Sequence, residues 1–242
     1  MKIALLGNGK TGSHVLSLAQ NEPATSVTVF NRGNPPERNT LAGHDIVISF
    51  FPGDAFLGYI PELIASRIPV VTGSTGFEWP GGRDAFSARL RQEGLIWVHA
   101  SNFSLGMNLM REMIRILNKT GELYDDYRFS LNEIHHTGKK DAPSGTALSW
   151  KQWLDQPVDI TSERTGDVIG EHALTLKTPF ERITISHSAL DRRIFASGAL
   201  WTARQVLQEG VVEQPGLHDM QQLAQQRIRN SIENHQNLQN TR

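Results

Sequence analysis

Hydrophobic positions follow two rhythms along this chain. Over roughly the first hundred residues, short apolar runs alternate with stretches of helical period. Lys2–Leu6, Ser26–Phe30, His44–Phe50, Pro69–Thr72 and Leu95–His99 read as strands. Between them, the segment from Gly12 to Ala19, Asp54–Ser66 (Phe56, Leu57, Ile60, Leu63 and Ile64) and a stretch opened by Pro80-Gly81-Gly82 and running to about Gln92 read as helices. Regular β–α alternation of this kind predicts a parallel, doubly wound sheet, here ending near Ser104.

Beyond Ser104 the rhythm changes. Leu105–Asn118 gathers Leu105, Leu109, Met113, Ile116 and Leu117 on one helical side. Asp126–His136 alternates like a strand, and Ser144–Trp153 reads as a helix. Gln156–Thr165 is polar and short and suggests no element of its own. Gly170–Thr178 and Arg182–Ser188 form two antiparallel strands around Pro179-Phe180-Glu181. Phe195–Gln208 and Leu217–Ile228 are helical, separated by Pro215-Gly216, and the polar tail Glu233–Arg242 is expected to fray. The second part is therefore an α+β domain with an open mixed sheet, and the first boundary falls between 104 and 105.

Composition narrows the classes. With 242 residues, 38% hydrophobic and 20% charged, the chain can bury a core in one large domain or two modest ones. A net charge of −1 gives no general attraction to nucleic acid or to an anionic membrane. There is no cysteine, which removes disulfides, zinc–thiolate sites and thiol catalysis and fits a reducing compartment. No apolar run approaches the roughly 18–20 residues of a membrane span, and the start lacks the apolar region of a signal peptide. The expectation is a cytoplasmic protein.

Chemistry enters at two places. The first is Gly7-Asn8-Gly9-Lys10-Thr11-Gly12, set between a strand and a helix, which turns a common glycine pattern into a dinucleotide loop. Gly7 allows the tight turn, Gly9 the approach of a pyrophosphate, and Gly12 the packing of helix on strand. The free N–H groups of the helix start face the phosphates. After the second strand stands Asn31-Arg32 where an acid would read the ribose of NAD. Arg32, with Lys10 nearby, favours the 2′-phosphate of NADPH, with NADH as the alternative; Arg32 alone fits a solvated loop equally well. Gly73-Ser74-Thr75 and Ala100-Ser101-Asn102-Phe103 follow strand ends and so lie on the ligand-facing edge of such a sheet.

The second place is Glu133–Leu148, where His135, His136, Lys139, Lys140 and Pro143-Ser144-Gly145-Thr146 crowd into one segment. Histidine is the natural proton donor near neutral pH. The lysines hold anions, Ser144 suits a helix N-cap, and Gly145 leaves backbone N–H groups open for a carboxylate or phosphate. Adjacent histidines on a strand face opposite ways, which argues against a shared metal; no metal is expected. Each of these residues taken singly is better read as a surface or capping residue; together His135, Lys139 and the Ser144–Thr146 turn form a candidate site, while His136 and Lys140 fit either reading.

These residues carry a resemblance to the dihydrodipicolinate (4-hydroxy-tetrahydrodipicolinate) reductases. The run Glu133, His135, His136, Lys139, Asp141, Pro143, Ser144, Gly145, Thr146, Ala147 resembles that family's Glu-x-His-His-x-x-Lys-x-Asp-x-Pro-Ser-Gly-Thr-Ala hallmark. Gly73–Phe77, Ala100–Gly106, Arg164–His172 and Phe195–Ala199 are similar to further stretches in the same order. The chain departs from the commoner pattern in a glycine loop one residue shorter, in Asn31 where an acid is frequent, and in a shorter 150–165 region.

The resemblance implies an N-terminal Rossmann domain, 1–104, completed by the final segment 192–242, and a substrate-binding and oligomerisation domain, 105–191. It implies hydride transfer from a nicotinamide to a small cyclic dicarboxylate. His135 would donate the proton, Lys139 would stabilise the developing charge, and Gly145, Thr146 and His136, beside Ser144, would hold a carboxylate. Asp141 would order the turn. The expected assembly is a homo-oligomer, a tetramer or a dimer. Two other readings stay open at this point: another two-domain NAD(P)-dependent dehydrogenase of a small dicarboxylate, and a non-catalytic NAD(P)-binding sensor.

Overall fold

The computed structural model describes residues 1–240, with side chains to 231. Two compact units emerge, Met1–Ser104 joined by Arg193–Arg242, and Leu105–Arg192. The tail from 233, expected to fray, lies outside the described side chains.

The first unit is built on β1 (Lys2–Leu6), β2 (Ser26–Phe30), β3 (Ile46–Ser49), β4 (Val70–Thr72), β5 (Ile96–His99) and β10 (Gly216–Asp219). They form one sheet in the order β10-β5-β4-β3-β1-β2, and every neighbouring pair is parallel. The runs Ile3–Leu6 and Ile46–Ser49 are buried at every position, because helices cover both faces of a parallel sheet. Those helices are α1 (Lys10–Gln20), α2 (Arg38–Leu41), α3 (Gly53–Ser66), α4 (Arg83–Glu93), α7 (Arg193–Leu207) and α8 (Met220–Asn240). β2 lies on one side of β1 and β3 on the other, so the chain switches direction at the carboxyl end of β1. That is where an open α/β sheet presents its ligand crevice.

The second unit contains α5 (Leu105–Leu117), a 3₁₀ turn (Asn118–Glu122), β6 (Arg128–His135), α6 (Gly145–Leu154), β7 (Val158–Arg164), β8 (Glu171–Lys177) and β9 (Arg182–Ser188). Its sheet runs β7-β6-β8-β9, parallel between β6 and β7 and antiparallel elsewhere. One face of that sheet supplies Phe129, Leu131, Leu174 and Leu176 to a core completed by Met107, Met110 and Ile114 of α5 and Ala147, Trp150 and Leu154 of α6. Period-two alternation along β6 continues past the core, so that Glu133 and His135 also point inward and are buried.

Two expectations need correction. The polar stretch Gln156–Thr165, to which the sequence assigned no element, holds a strand: Val158–Arg164 pairs with β6 over its full length. It is an edge strand with mostly exposed side chains, and only Val158 and Ile160 carry an apolar signal. The last helix starts at Met220, because Gly216–Asp219 first adds a sixth strand beside β5. Gly216 donates its N–H to the Leu95 carbonyl at 2.8 Å, and Leu217 donates to Ser87 Oγ at 3.0 Å. Leu217 is the one apolar residue of Gly216–Asp219, so no apolar run announces the strand, and Leu217 continues the pattern of the helix after it.

Close packing rather than turn geometry explains one glycine of α7. A Cβ on Gly198 would run into the carbonyl of Phe103, within the first unit. Gly58, inside α3, has nothing within 4 Å of such a Cβ. Gly198→Ala should therefore lower the unfolding free energy by about 1–3 kcal/mol, whereas Gly58→Ala should raise it by about 0.5–1 kcal/mol. Urea unfolding of the two variants checks both signs.

Candidate active site

The chemistry of the second unit gathers where β6 ends. The register aligns Ser162 of β7, Glu133 of β6, His172 of β8 and His187 of β9 in one row across the sheet, with His135 opposite Arg164 one step further. Glu133 is fully buried. Its Oε1 accepts the Ser144 backbone N–H at 2.9 Å and Arg164 Nη2 at 3.0 Å. Its Oε2 faces His135 Nδ1 at 3.3 Å and His172 Nε2 at 3.6 Å.

Burial pushes the Glu133 carboxyl up, but hydrogen bonds from Ser144, Ser162 and Arg164 outweigh it and hold the pKa at about 2. The ion is kept because its partners are fixed around it. Glu133 Oε2, His135 Nδ1 and His172 Nε2 lie within 4.8 Å of one another, a spacing a small cation could bridge. The guanidinium of Arg164 already supplies positive charge to this carboxylate.

The sequence-predicted residues divide. His135 is buried and its ring meets His172 edge to face at 5.1 Å. Burial lowers its pKa, Glu133 opposes that, and Lys139 and Arg164 lower it further. His136 lies just beyond β6, half-buried, outside the Glu133 cluster. Lys139 is half-buried and Lys140 exposed. Lys139 Nζ donates to Asp141 at 2.8 Å, which holds the Asp141 carboxyl below its usual range. Asp141 thus pairs with the lysine two residues before it. Arg164 fastens the same loop by donating to the carbonyls of Lys139 and Asp141.

Ser144 is the N-cap of α6, its Oγ accepting from Ala147 N at 3.1 Å and lying 3.2 Å from His172 Nε2. Gly145 and Thr146 form the first turn, and their N–H groups take no partner among the described residues. An open helix start of this kind holds an anion. Glu133, Arg164 and His172 received no site role from the sequence. The available signal was parity: Glu133 falls on the buried side of β6 between Leu131 and His135, and a buried carboxylate requires partners.

In the first unit, Gly7 adopts φ +92 and donates its N–H to the Phe30 carbonyl at 2.9 Å. A Cβ on Gly12 would strike the Gly7 carbonyl, whereas one on Gly9 would meet nothing within 4 Å. Gly12 therefore serves helix packing. Gly9, at the N-cap of α1 with no side-chain cap, leaves open backbone. Asn8 and Lys10 are exposed and Thr11 half-exposed. Arg32 is exposed in the turn after β2, shaped by Asn31 Oδ1 accepting from Gly33 and Asn34 N–H.

Several residues expected at the cofactor edge also have packing duties. Gly73 makes room for the Phe50 ring, which meets Phe103 edge to face at 5.8 Å. Ser74 is buried against Ser49 Oγ at 3.3 Å, and Ala100 and Phe103 are buried. Thr75 and Ser101 remain exposed, and Asn102 Oδ1 accepts from Ser104 N.

A parallel doubly wound sheet with a glycine loop at its switch point, and a mixed-sheet unit holding a buried Glu–His–His cluster tied to a half-buried arginine beside an open helix start, define an oxidoreductase of the two-unit dehydrogenase class. A family model described as dihydrodipicolinate reductase, C-terminus, matches residues 105–223. The 4-hydroxy-tetrahydrodipicolinate reductase of Xylella fastidiosa (strain M23) is 31% identical over 221 residues, 83% of this chain and 89% of that one. Its counterpart from Syntrophus aciditrophicus (strain SB) is 29% identical over 262 residues, covering 89% and 94%. A dipicolinate-bound dihydrodipicolinate reductase from Paenisporosarcina sp. TG-14 shares the fold with a TM-score of 0.73 at 19% identity, over 90% of this chain and 97% of that one. The chain belongs to the 4-hydroxy-tetrahydrodipicolinate reductase family, and its cofactor is a nicotinamide dinucleotide. Among the described residues, no helix is long and apolar enough to cross a membrane.

Burial is the main cause that lowers the His172 pKa, to about 4 from 6.5, with neighbouring His135 adding to it. The unfolded chain then binds more protons than the folded one between those values, so this part of the stability is complete above pH 6.5 and is lost as pH falls towards 4. The loss amounts to at most about 3 kcal/mol. The melting temperature should fall over that window, and His172→Gln should flatten the fall; an unchanged slope in the variant would remove His172 from the acid response.

Proposed function

We propose that the chain reduces 4-hydroxy-tetrahydrodipicolinate to tetrahydrodipicolinate with NADPH, a step of diaminopimelate and lysine biosynthesis in the cytoplasm. The observation that carries this reading is the convergence of His135, Glu133 and the Ser144–Thr146 helix start in one cluster of a chain from this family.

The first unit fits a dinucleotide. The start of α1 has no side-chain cap, Gly9 leaves its backbone uncovered, and Gly12 brings the helix onto β1. Gly7–Gly12 would hold the pyrophosphate, and Arg32 with Lys10 the 2′-phosphate. Thr75 and Ser101, exposed at strand ends, are the remaining candidates on that edge. When bound, the reduced nicotinamide supplies the hydride.

In the second unit His135 donates the proton. The N–H groups of Gly145 and Thr146 hold a ring carboxylate, with His136 flanking it. Lys139 supplies positive charge as negative charge develops on the substrate, and the pairing with Asp141 restrains its side chain meanwhile. The open face of the second sheet, where Asn132 pairs with Thr161 and Thr175 with Thr184 in exposed positions, supports assembly into a homo-oligomer, a tetramer or a dimer.

NADPH consumption with substrate made by a coupled synthase tests the reading; no turnover by the wild-type chain would refute it. His135→Ala should lower kcat by roughly 10²–10⁴-fold with a smaller change in KM, and an unaltered kcat would exclude His135 as the acid. Arg32→Ala should weaken NADPH while sparing NADH in fluorescence titrations. Equal losses for both would mean that Arg32 does not read the 2′-phosphate and would leave NADH as the cofactor to prefer.

A further inference from the structure

Glu133 uses its two oxygens differently. Oε1 is committed to Ser144 N–H and Arg164 Nη2, bonds that come from two elements and fix the plane of the carboxylate. Oε2 is left facing His135 Nδ1 at 3.3 Å, and neither of these buried atoms has a hydrogen-bond partner elsewhere, so each is the nearest polar group available to the other. The opposite end of the imidazole is held differently. A Cβ on Gly170 would lie 3.0 Å from His135 Nε2 and 3.3 Å from Cδ2, so the glycine keeps that nitrogen uncovered. One nitrogen is turned to a buried anion and the other to a space left clear by a missing side chain.

We propose that Glu133 is a positioning residue for the reaction. Its carboxylate fixes neutral His135 as the Nδ1–H tautomer, so that Nε2 is the nitrogen that carries the transferred proton, and through Ser144 it ties this orientation to the start of α6. The proposal rests on the reductase reading for the fate of that proton, but the tautomer itself does not depend on that reading. A free imidazole favours the other tautomer, and a carboxylate at Nδ1 both selects the ring orientation and stabilises the imidazolium formed when Nε2 is protonated.

The remaining charges make Glu133 necessary. Facing His135 are Arg164 from β7, His172 from β8, and Lys139 and Asp141 from the loop after β6. Arg164 and Lys139 oppose an imidazolium. Asp141 favours one but is exposed and bound to Lys139. His172 competes for Oε2 only weakly. It is 3.6 Å away, has the Ser144 hydroxyl at 3.2 Å on the same nitrogen, and stays neutral near pH 7 because burial holds its pKa at about 4. Glu133 is thus the buried anion that sustains a protonated His135.

Glu133→Gln is the test, because the amide can still accept from Ser144 N–H while presenting a donor to Nδ1. Long-range ¹H–¹⁵N spectra of the full chain without cofactor, with the His135 signals assigned by their loss in His135→Gln, should show Nδ1–H in the wild type. In Glu133→Gln the neutral tautomer should become Nε2–H and the imidazole pKa should fall by about 1 unit or more. In turnover, kcat should fall at least about 10²-fold with KM changed less than about threefold, the high-pH limb of the rate profile should move to lower pH, and Glu133→Asp should restore part of the rate. A wild-type chain with Nε2–H overturns the proposal even if Glu133→Gln fails to fold. So does a Glu133→Gln protein with the wild-type tautomer and pKa. If the tautomer switches as stated but the wild-type chain does not consume NADPH with the proposed substrate, the positioning role stands and the reaction assignment falls.

Discussion

The second unit depends on a single ionised carboxylate held out of water. An isolated charge at that depth would cost several kcal/mol, and burial alone would protonate it. Two elements prevent this at Glu133. β7 brings Arg164 and Ser162, and the start of α6 brings Ser144. Because each partner satisfies the carboxylate only from its own place, the charge specifies how β6, β7 and α6 come together at their common end. The apolar side chains lower down, Phe129, Leu131, Leu174 and Trp150, supply the burial that makes this polar end rigid. The Arg164 contacts then extend the order into the loop that carries Lys139 and Asp141.

The first unit rests on the opposite device, absent side chains. Gly12 lets α1 close on β1, Gly73 admits the Phe50 ring, and Gly198 lets α7 lie on the Phe103 carbonyl. These contacts bring loop ends to the carboxyl edge of a six-stranded parallel sheet. Only Gly9 among the loop glycines has empty space where a Cβ would stand without a turn demanding φ > 0, so neither packing nor turn geometry requires a glycine there.

Much of this was legible in the order of residues. Five of the six parallel strands announce themselves as apolar runs, since burial on both faces demands them. The glycine loop, the Ser144 cap and the inward parity of His135 follow from local rules. What escaped was non-local. β7 is an edge strand whose pairing with β6 leaves little apolar trace, and β10 is four residues long at the far edge of a sheet begun some two hundred residues earlier. The partnership of Glu133 with Arg164 and His172 spans three strands, and no periodicity in one stretch encodes it. Asp141 acquired its partner, Lys139, only once the loop geometry was known.

The state of Glu133 itself offers the most direct measurement. The Ser144 amide proton, 2.9 Å from Glu133 as N···O, reports whether that carboxylate is ionised and bonded. Followed by NMR from about pH 7 down to about pH 3.5 in the full chain carrying His172→Gln, which removes the imidazole that lies 3.2 Å from Ser144 and itself titrates at about 4, its chemical shift should show no inflection near the ordinary glutamate value, because the carboxyl titrates only at about 2. An inflection close to 4.5 would mean that Glu133 behaves as an ordinary surface carboxylate, and the account of the site as organised around it would be wrong.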